Sequence, residues 1–379
     1  MSKLDELIQE LCPDGVEFVS MNELLKRKQI STITPTIKVK RNDYLDIGET
    51  PIISQEIEYI SGYCNFHDKN IPCGNYVCFG DHSEHIKYIN FSFVQGADGL
   101  KIMRTNESTI SSRYLFHALS SKYQRHNNYE RHFKYLTDTI IPVPPLPVQC
   151  EIVRILDNFT ELTAELTAEL TARKKQYAYY RDKLLTFGDV RGGATSDVIR
   201  RTLGEVCKIS AGGDAPKDSM SKQKTEKYSV PIISNGIGEN ALYGYTDAPK
   251  VEEPAVTVAA RGTIGYAEYR DYPFYPIIRL LTAIPKDSTV VNTKYLYYCL
   301  QGKQYSVPMG GIPQLTAPEL KKVEIPIPSL DVQNRIVQVL DNFDAICTDL
   351  SSGLPAEIEA RQKQYEYYRD KLLTFPPAE

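Results

Sequence analysis

The chain has little of what marks a membrane-bound, exported or metal-built protein. No apolar run of 18 residues occurs, and the opening MSKLDELIQEL has neither a basic n-region nor an apolar h-region. A membrane span and a secretory signal are therefore not expected, and a cytoplasmic location is. Eight cysteines in 379 residues are too few for a disulfide framework, so reduced thiols are expected. Excess positive charge is missing as well: 44 Lys and Arg stand against 48 Asp and Glu, a net charge of −4. A protein that grips phosphate over its whole surface would be basic. Any nucleic-acid binding must therefore come from local patches.

Catalytic signatures are absent in the same way. The Pro-Pro-aromatic loop of adenine methyltransferases does not occur, and AGGDAPKDS around Gly212 has the wrong spacing for a phosphate-binding loop. PDGVEFV from Pro13 resembles the start of a nuclease motif, but Val19 stands where a lysine is required. Cys64, His67, Cys73 and Cys78 are separated by 2, 5 and 4 residues, which forms no paired CxxC knuckle, and the second half has no equivalent set. The expectation is a chain with no catalytic residue, no metal and no cofactor of its own. All six histidines precede residue 133, a feature assigned to whatever the first half recognises.

What the sequence does contain is a second copy of itself. ARKKQYAYYRDKLLTF from Ala172 to Phe187 recurs as ARQKQYEYYRDKLLTF from Ala360 to Phe375, with 14 of 16 positions identical. QCEIVRILDNF from Gln149 matches QNRIVQVLDNF from Gln333, and IPVP from Ile141 pairs with IPIP from Ile325. RYLFHAL from Arg113 pairs with KYLYYCL from Lys294, and TPIIS near Pro51 with VPIIS near Pro231. Such repeats organise a fold before any local pattern does. At 42% hydrophobic and 24% charged residues, each half can bury an ordinary core, and the length allows two or three domains.

From Val148 to Phe187 there is neither Gly nor Pro, enough for a helix of about 60 Å. Ile152, Leu156, Phe159, Leu166, Leu170, Tyr177, Tyr180, Leu184 and Phe187 follow a three-four spacing, the pattern of a seam that wants a partner helix. The second copy, from about residue 332 to 375, is the expected partner, antiparallel to the first. Gly353 and Pro355 are expected to break or kink it, with Pro355 in a restarted first turn. The remaining stretches, roughly 14–146 and 198–328, alternate short Tyr/Ile/Val runs with Gly, Pro and Asn. They predict short strands and turns with a few helices, such as Ser111 to Tyr123 and Thr293 to Gln301. The predicted fold class is α+β: two mixed α/β modules joined by two long antiparallel coiled-coil helices in a pseudo-twofold internal repeat. The expected divisions are a first module over 1–147, a central helix over 148–187, a linker over 188–197, a second module over 198–330 and a C-terminal helical segment over 331–379.

The duplicated LDNF and KQYxYYRDKLLTF, the Pro-rich IPVPPLPVQ and IPIPSLDVQ before each helix, and the TAEL units between Thr163 and Leu170 carry a resemblance. Across nearly its full length the chain resembles the DNA-specificity subunit of type I restriction–modification systems, and most nearly the branch that varies TAEL copy number. The resemblance implies two target-recognition domains, each reading one half of a split double-stranded DNA target. It implies helices that set the gap and dock two methyltransferase subunits, with restriction (motor–endonuclease) subunits joining that core. Chemistry would belong to those partners: S-adenosylmethionine on the methyltransferases, ATP and Mg on the motor–nuclease. The other reading of the same layout is a noncatalytic protein–protein adaptor built on a helical scaffold.

Phe159 to Arg173 spans 14 residues and Phe343 to Arg361 spans 18, so the copies differ by one four-residue unit. Each TAEL unit adds roughly 6 Å and about 40° to a helix. That moves one module relative to the other without altering either reading surface. Ala, Glu and Leu are also strong helix formers, which makes plain helical filler the alternative. In the duplicated motif, Tyr179, Arg181, Tyr367 and Arg369 are the expected outward, subunit-docking residues, since Tyr and Arg concentrate interface energy. Their neighbours Tyr177, Tyr180 and Leu184, with Tyr365, Tyr368 and Leu372, are expected to fill the helix seam.

Expected DNA contacts are basic residues mixed with aromatics and amides, Lys and Arg for phosphate and Arg, Asn or Gln for base edges. In the first module they are His82, Lys87, Lys122, Arg125, Arg131 and Lys134. In the second they are Lys217, Lys222, Lys224, Lys227, Arg261 in AARGTIG, and Gln314 in GGIPQLT. For any one of them the competing reading is a solvated surface charge. Neither module is strongly basic, so much of the phosphate contact is expected from the partners.

Overall fold

The computed structural model describes residues 2–65, 70–96, 99–187, 198–305 and 313–378. The expected linker, 188–197, lies outside the described residues. The chain divides into two units, Met1–Thr167 with Glu357–Glu379, and Ala168–Ala356.

In the first unit a four-stranded antiparallel sheet runs in the order Ile30–Ile33, Leu100–Thr105, Tyr76–Gly80, Ile86–Ile89. YVCFG is buried at every position, as an unbroken apolar run in a strand covered on both faces requires. A smaller sheet sets Thr50–Ile53 antiparallel to Gly62–Cys64 and parallel to Val94–Gln95. Phe18–Ser20 pairs with Ile140–Pro142.

The second unit repeats each of these. Its main sheet runs Cys207–Ala211, Leu280–Pro285, Ala255–Ala259, Ala267–Arg270, with AVTVA as the fully buried strand. Val230–Ile233 lies antiparallel to Leu242–Thr246 and parallel to Tyr275–Pro276. Ile199–Thr202 pairs with Glu324–Ile327. The order of these strands is the same in both units, the second unit's smaller sheet adding only Met220–Ser221 at its edge, so the faint sequence matches mark a duplicated topology.

Buried polar groups repeat as well. Ser111 caps the helix Ser112–Lys122 and Asn292 caps Thr293–Leu300, close to the expected spans. Inside these helices the buried Tyr114 hydroxyl donates to Pro142 O at 2.9 Å, and the Tyr295 hydroxyl to Pro326 O at 2.9 Å. Gln149 accepts from Ser111 N and donates to the carbonyls of Thr109 and Pro144. Gln333 does the same with Asn292 N, Val290 O and Pro328 O. A buried amide with all these partners locks the helix start to its module; without them the backbone groups would be orphaned, each costing about 1–3 kcal/mol.

The long helix runs unbroken over Leu146–Thr186, with Pro147 in its first turn, where a missing N–H costs nothing. Its C-terminal counterpart is two helices, Leu330–Thr348 and Leu354–Leu372. The Asp349 carboxylate accepts from Ser351 N at 2.7 Å across the break, and Pro355 falls in the restarted first turn. Gly353 and Pro355 therefore act as expected.

The cores mix the two sequence copies. In the first unit Ile152 and Leu156 share a cluster with Leu373 and Phe375 of the second copy, and Tyr365 and Leu372 pack against it. In the second unit Ile336 and Leu340 share a cluster with Tyr177, Leu184, Leu185 and Phe187 of the first copy. Each LDNF segment thus packs against the YYRDKLLTF segment of the other copy. No helix among the described residues is long and apolar enough to cross a membrane.

Candidate nucleic-acid interface

The turn FGDHSEH leaves the buried strand Tyr76–Gly80 and places two carboxylates inside the first module. Asp81 accepts from Phe133 N at 2.8 Å, and its carbonyl accepts from His132 N at 2.7 Å. Glu84, 3% exposed, accepts from the Tyr123 hydroxyl at 2.6 Å, His126 N at 2.8 Å and Asn127 N at 2.7 Å. Burial works to raise the Glu84 carboxyl, but these hydrogen bonds outweigh it and hold the group below the ordinary carboxylate range. The two acids grip both ends of the loop from residue 124 to 132.

That loop carries the basic and aromatic residues expected at the interface. Arg125 and Arg131 are exposed, and Tyr129, 91% exposed, stacks on His82 at 5.2 Å and 15°. His82 Nδ1 lies 2.9 Å from Glu130 O, and Arg125 Nη2 lies 3.1 Å from His85 Nδ1. Beside the loop opens a cleft of about 510 Å³, lined among others by Thr32, Lys38, Gln95, Lys101, His82 and Arg131. Lys101, over the Phe133 ring at 5.4 Å and 3.7 Å from Asp81, was missed from sequence because it lies within a strand. Lys38, which opens the basic run KVKR from Lys38 to Arg41, was missed as well.

Other expected residues sit elsewhere. Lys134 is exposed but paired with Glu130 at 3.0 Å. Hydrogen bonds from Asn128 and from Lys134 pull the Glu130 carboxyl down to about 2. Lys122 lies half-buried in the last turn of the helix Ser112–Lys122. Lys87 is a correction: it is only 6% exposed, and its ammonium donates to Ser54 O at 3.0 Å and to Glu58 O. Burial lowers its pKa. It holds a loop in place and does not reach the surface as a phosphate contact would.

The second module has a cleft beside the same pair of segments, but it opens toward the smaller sheet rather than along the main one. In both modules the loop after the first strand of the main sheet bridges to the segment that enters the strand beside it, Leu100–Thr105 or Leu280–Pro285: Lys38 to Gln95, and Gly213 to Ile277. This second cleft is lined by residues 214–219 with Ser234, Tyr243, Ile277 and Ile278. Of the expected residues, Lys217 lines it. Lys222 lies 3.7 Å above the Tyr243 ring and donates to Tyr243 O at 2.9 Å. Lys224 and Lys227 are exposed, Lys227 over the Tyr228 ring at 5.0 Å. Arg261 sits in a turn fixed by Asn235 Nδ2 donating to its carbonyl at 2.7 Å. Exposed Gln314 is brought beside it because Leu315 N donates to Ala260 O at 2.8 Å.

The duplicated helical motif presents the same surface twice. Tyr179 is 60% exposed and Tyr367 61%. Each meets its neighbour edge-on, Tyr180 at 5.3 Å and Tyr368 at 5.4 Å. Each has a lysine near its ring, Lys183 at 5.8 Å and Lys371 at 5.9 Å. Arg181 and Arg369, expected to face outward, instead lie half-buried along the helix beside Asp182 and Asp370. The tyrosines form the outward part of the motif.

Among the described residues no group of three or more His, Cys, Asp or Glu is placed to hold a metal ion. Cys64 and Cys78 are buried in different clusters, Cys73 is an exposed free thiol, and His67 lies outside the described residues.

The family description of the type I restriction modification DNA specificity domain matches residues 13–173 and again 196–360. The chain is 30% identical to the specificity subunit of the EcoR124I/EcoR124II type I restriction enzyme of Escherichia coli, over 100% of this chain and 98% of that one. Among solved structures, the S subunit of a type I restriction–modification system from M. genitalium superposes with a TM-score of 0.57 at 14% identity, over 95% of this chain and 96% of the other. A chain from work on the assembly and conformational transition of the type I system gives 0.57 at 18% identity, over 96% and 98%.

Proposed function

The chain belongs to the DNA-specificity subunits of type I restriction–modification systems, and from that membership we propose how its parts divide the work. It is the recognition component of a restriction–modification complex and contributes no catalysis of its own. Each module reads one half of a bipartite, asymmetric DNA target through its cleft and the loops beside it. In the first module the reading residues are Arg125, Arg131 and His82, with Lys122 and Lys134 near the backbone. In the second they are Lys217, Lys222, Lys224, Lys227, Arg261 and Gln314.

One observation carries this reading: in both modules a cleft borders the point where the loop after the first strand of the main sheet meets the segment that enters the strand beside it. A shared frame with different lining residues is what two readers of two different half-sites need. The two Tyr-Lys patches suit two copies of one partner, since a duplicated surface offers duplicated docking. We assign them to two methyltransferase subunits carrying S-adenosylmethionine, with restriction subunits carrying ATP and Mg joining that core. We assign the gap to the TAEL units, and the chain to the branch that varies their number.

The test is a long-read methylation map of host DNA with this gene present and deleted, partner genes intact. Loss of N6-methyladenine from one split, asymmetric motif on deletion is the expected result. An unchanged map while the partners remain expressed overturns the reading in favour of a protein–protein adaptor.

A further inference from the structure

Glu84 occupies a backbone conformation that a side chain makes costly. Its φ is +58°, in the left-handed region that favours glycine. The second module has a glycine at the corresponding point: Glu84 N donates to Gly80 O at 2.8 Å, and Gly265 N, with φ +86°, donates to Ala259 O at 2.9 Å. Gly80 and Ala259 end the equivalent buried strands. A glutamate kept where its sister is glycine has to be explained by what its side chain does.

The surroundings supply the explanation. After the helix Ser112–Lys122, Tyr123 directs its hydroxyl to the Glu84 carboxylate at 2.6 Å. After the corresponding helix Thr293–Leu300, Tyr305 packs its ring on Gly265, so closely that a Cβ there would come within 2.7 Å of it. The buried Tyr305 hydroxyl has no hydrogen-bond partner among the described residues. The second module fills this turn with a ring. The first fills it with a carboxylate that also takes the N–H groups of His126 and Asn127 and lies 3.7 Å from buried His132 Nε2. Asn127 is itself at φ +55°, so the loop is bent at the point the carboxylate holds.

We propose that Glu84 is the positioning residue for the first module's recognition loop. It fixes Arg125, Tyr129 and Arg131 in register with their half-site, and the second module has no such dependence. This rests on the reading that the loop faces DNA.

The experiment compares wild-type chain, Glu84→Gly and Glu84→Gln in the assembled methyltransferase complex. Methylation is scored on duplexes carrying single-base changes in either half of the target that the wild-type map defines. Glu84→Gly relieves the left-handed backbone but leaves the Tyr123 hydroxyl and the N–H groups of His126 and Asn127 without their acceptor, so the complex should still assemble while the first unit melts somewhat below wild type. Its discrimination in one half-site should fall by roughly tenfold or more, with the other half unchanged. Glu84→Gln keeps one acceptor for Tyr123 and His126 but turns an amide N–H toward Asn127 N, and should fall between the two. Equal losses in both halves, or full discrimination in Glu84→Gly, overturns the inference alone. A wild-type complex that marks no split motif overturns the underlying reading and the inference with it.

Discussion

Phe159 stacks on Tyr368 with centroids 5.3 Å apart and planes at 19°. These residues belong to different copies of the repeat, and the mirror pair, Phe343 with Tyr180, stacks at 5.9 Å and 27°. Each copy's LDNF phenylalanine is therefore completed by the other copy's tyrosine. Phe159→Ala and Tyr368→Ala should each destabilise the first unit, and a double-mutant cycle should give a coupling of about 0.5–1.5 kcal/mol. Denaturant melts of the four variants measure it. Additive losses would mean that the rings touch without supporting each other.

Lys87 gives a second prediction, in the direction opposite to a DNA contact. Lys87→Met leaves the Ser54 and Glu58 carbonyls without their donor, which should cost about 1–3 kcal/mol of stability. The salt dependence of DNA binding by the complex should not change, because no phosphate contact is lost. A flatter dependence on salt, with unaltered melting, would return Lys87 to the interface.

The repeat, the helical segments and the break at Gly353 and Pro355 were legible because each rests on local signals: identity, an uninterrupted run, a breaking residue. The cross-copy pairing was not, since nothing in either YYRDKLLTF says which LDNF it meets. The burial of Lys87 was legible and passed over. In IKYI the period-two alternation puts Lys87 on the face of Ile89, and the observed burial follows that alternation. Glu84 escaped notice for another reason. A carboxylate is no phosphate ligand, and the three donors that Glu84 collects stand 39 to 43 positions further along the chain.

A third prediction concerns pH and separates the two units. Buried His117 lies 3.0 Å from Asp157 and 3.0 Å from the Tyr365 hydroxyl. Burial lowers its pKa, helped by Arg113 and Arg369, against the pull of Asp157. A depressed folded pKa means that the unfolded chain takes up the proton first. The stability His117 supports is therefore present above about 6.5, the unfolded value, and is lost as pH falls from there toward the folded value. The corresponding residue in the second unit is Tyr298, bonded to Asp341, which does not titrate in that window. His117→Gln should flatten the pH dependence of the first unit's melting below about pH 6.5. An unchanged slope would assign the pH dependence to other groups.

A fourth follows from the unbroken helix Leu146–Thr186. One extra TAEL unit after Leu170 should lengthen the unspecific gap in the methylated motif and leave both half-sites as they were. It adds roughly 6 Å and about 40° and touches neither cleft. A methylation map reads gap and half-sites together. An unchanged gap would reduce TAEL to helical filler.

The last prediction turns on stoichiometry. Tyr179 and Tyr367 are exposed to the same degree, with the same edge-on tyrosine and the same lysine at hand. If each anchors one methyltransferase subunit, removing one ring should cost one docking event and spare the other. Truncating an interface tyrosine at the centre of a docking surface costs about 2 kcal/mol or more, roughly 30-fold in affinity. Native mass spectrometry at concentrations about fivefold above the wild-type dissociation constant, well below that of a weakened site, should then show two bound methyltransferases for wild type, and mainly one for Tyr179→Ala and one for Tyr367→Ala. The double variant should bind none. Both rings are largely solvent-exposed in this chain, so their loss should leave its own melting within about 0.5 kcal/mol of wild type. Two bound subunits in both single variants would move the docking surface off these rings. A cooperative loss of both subunits in either single variant would mean that the two sites are coupled.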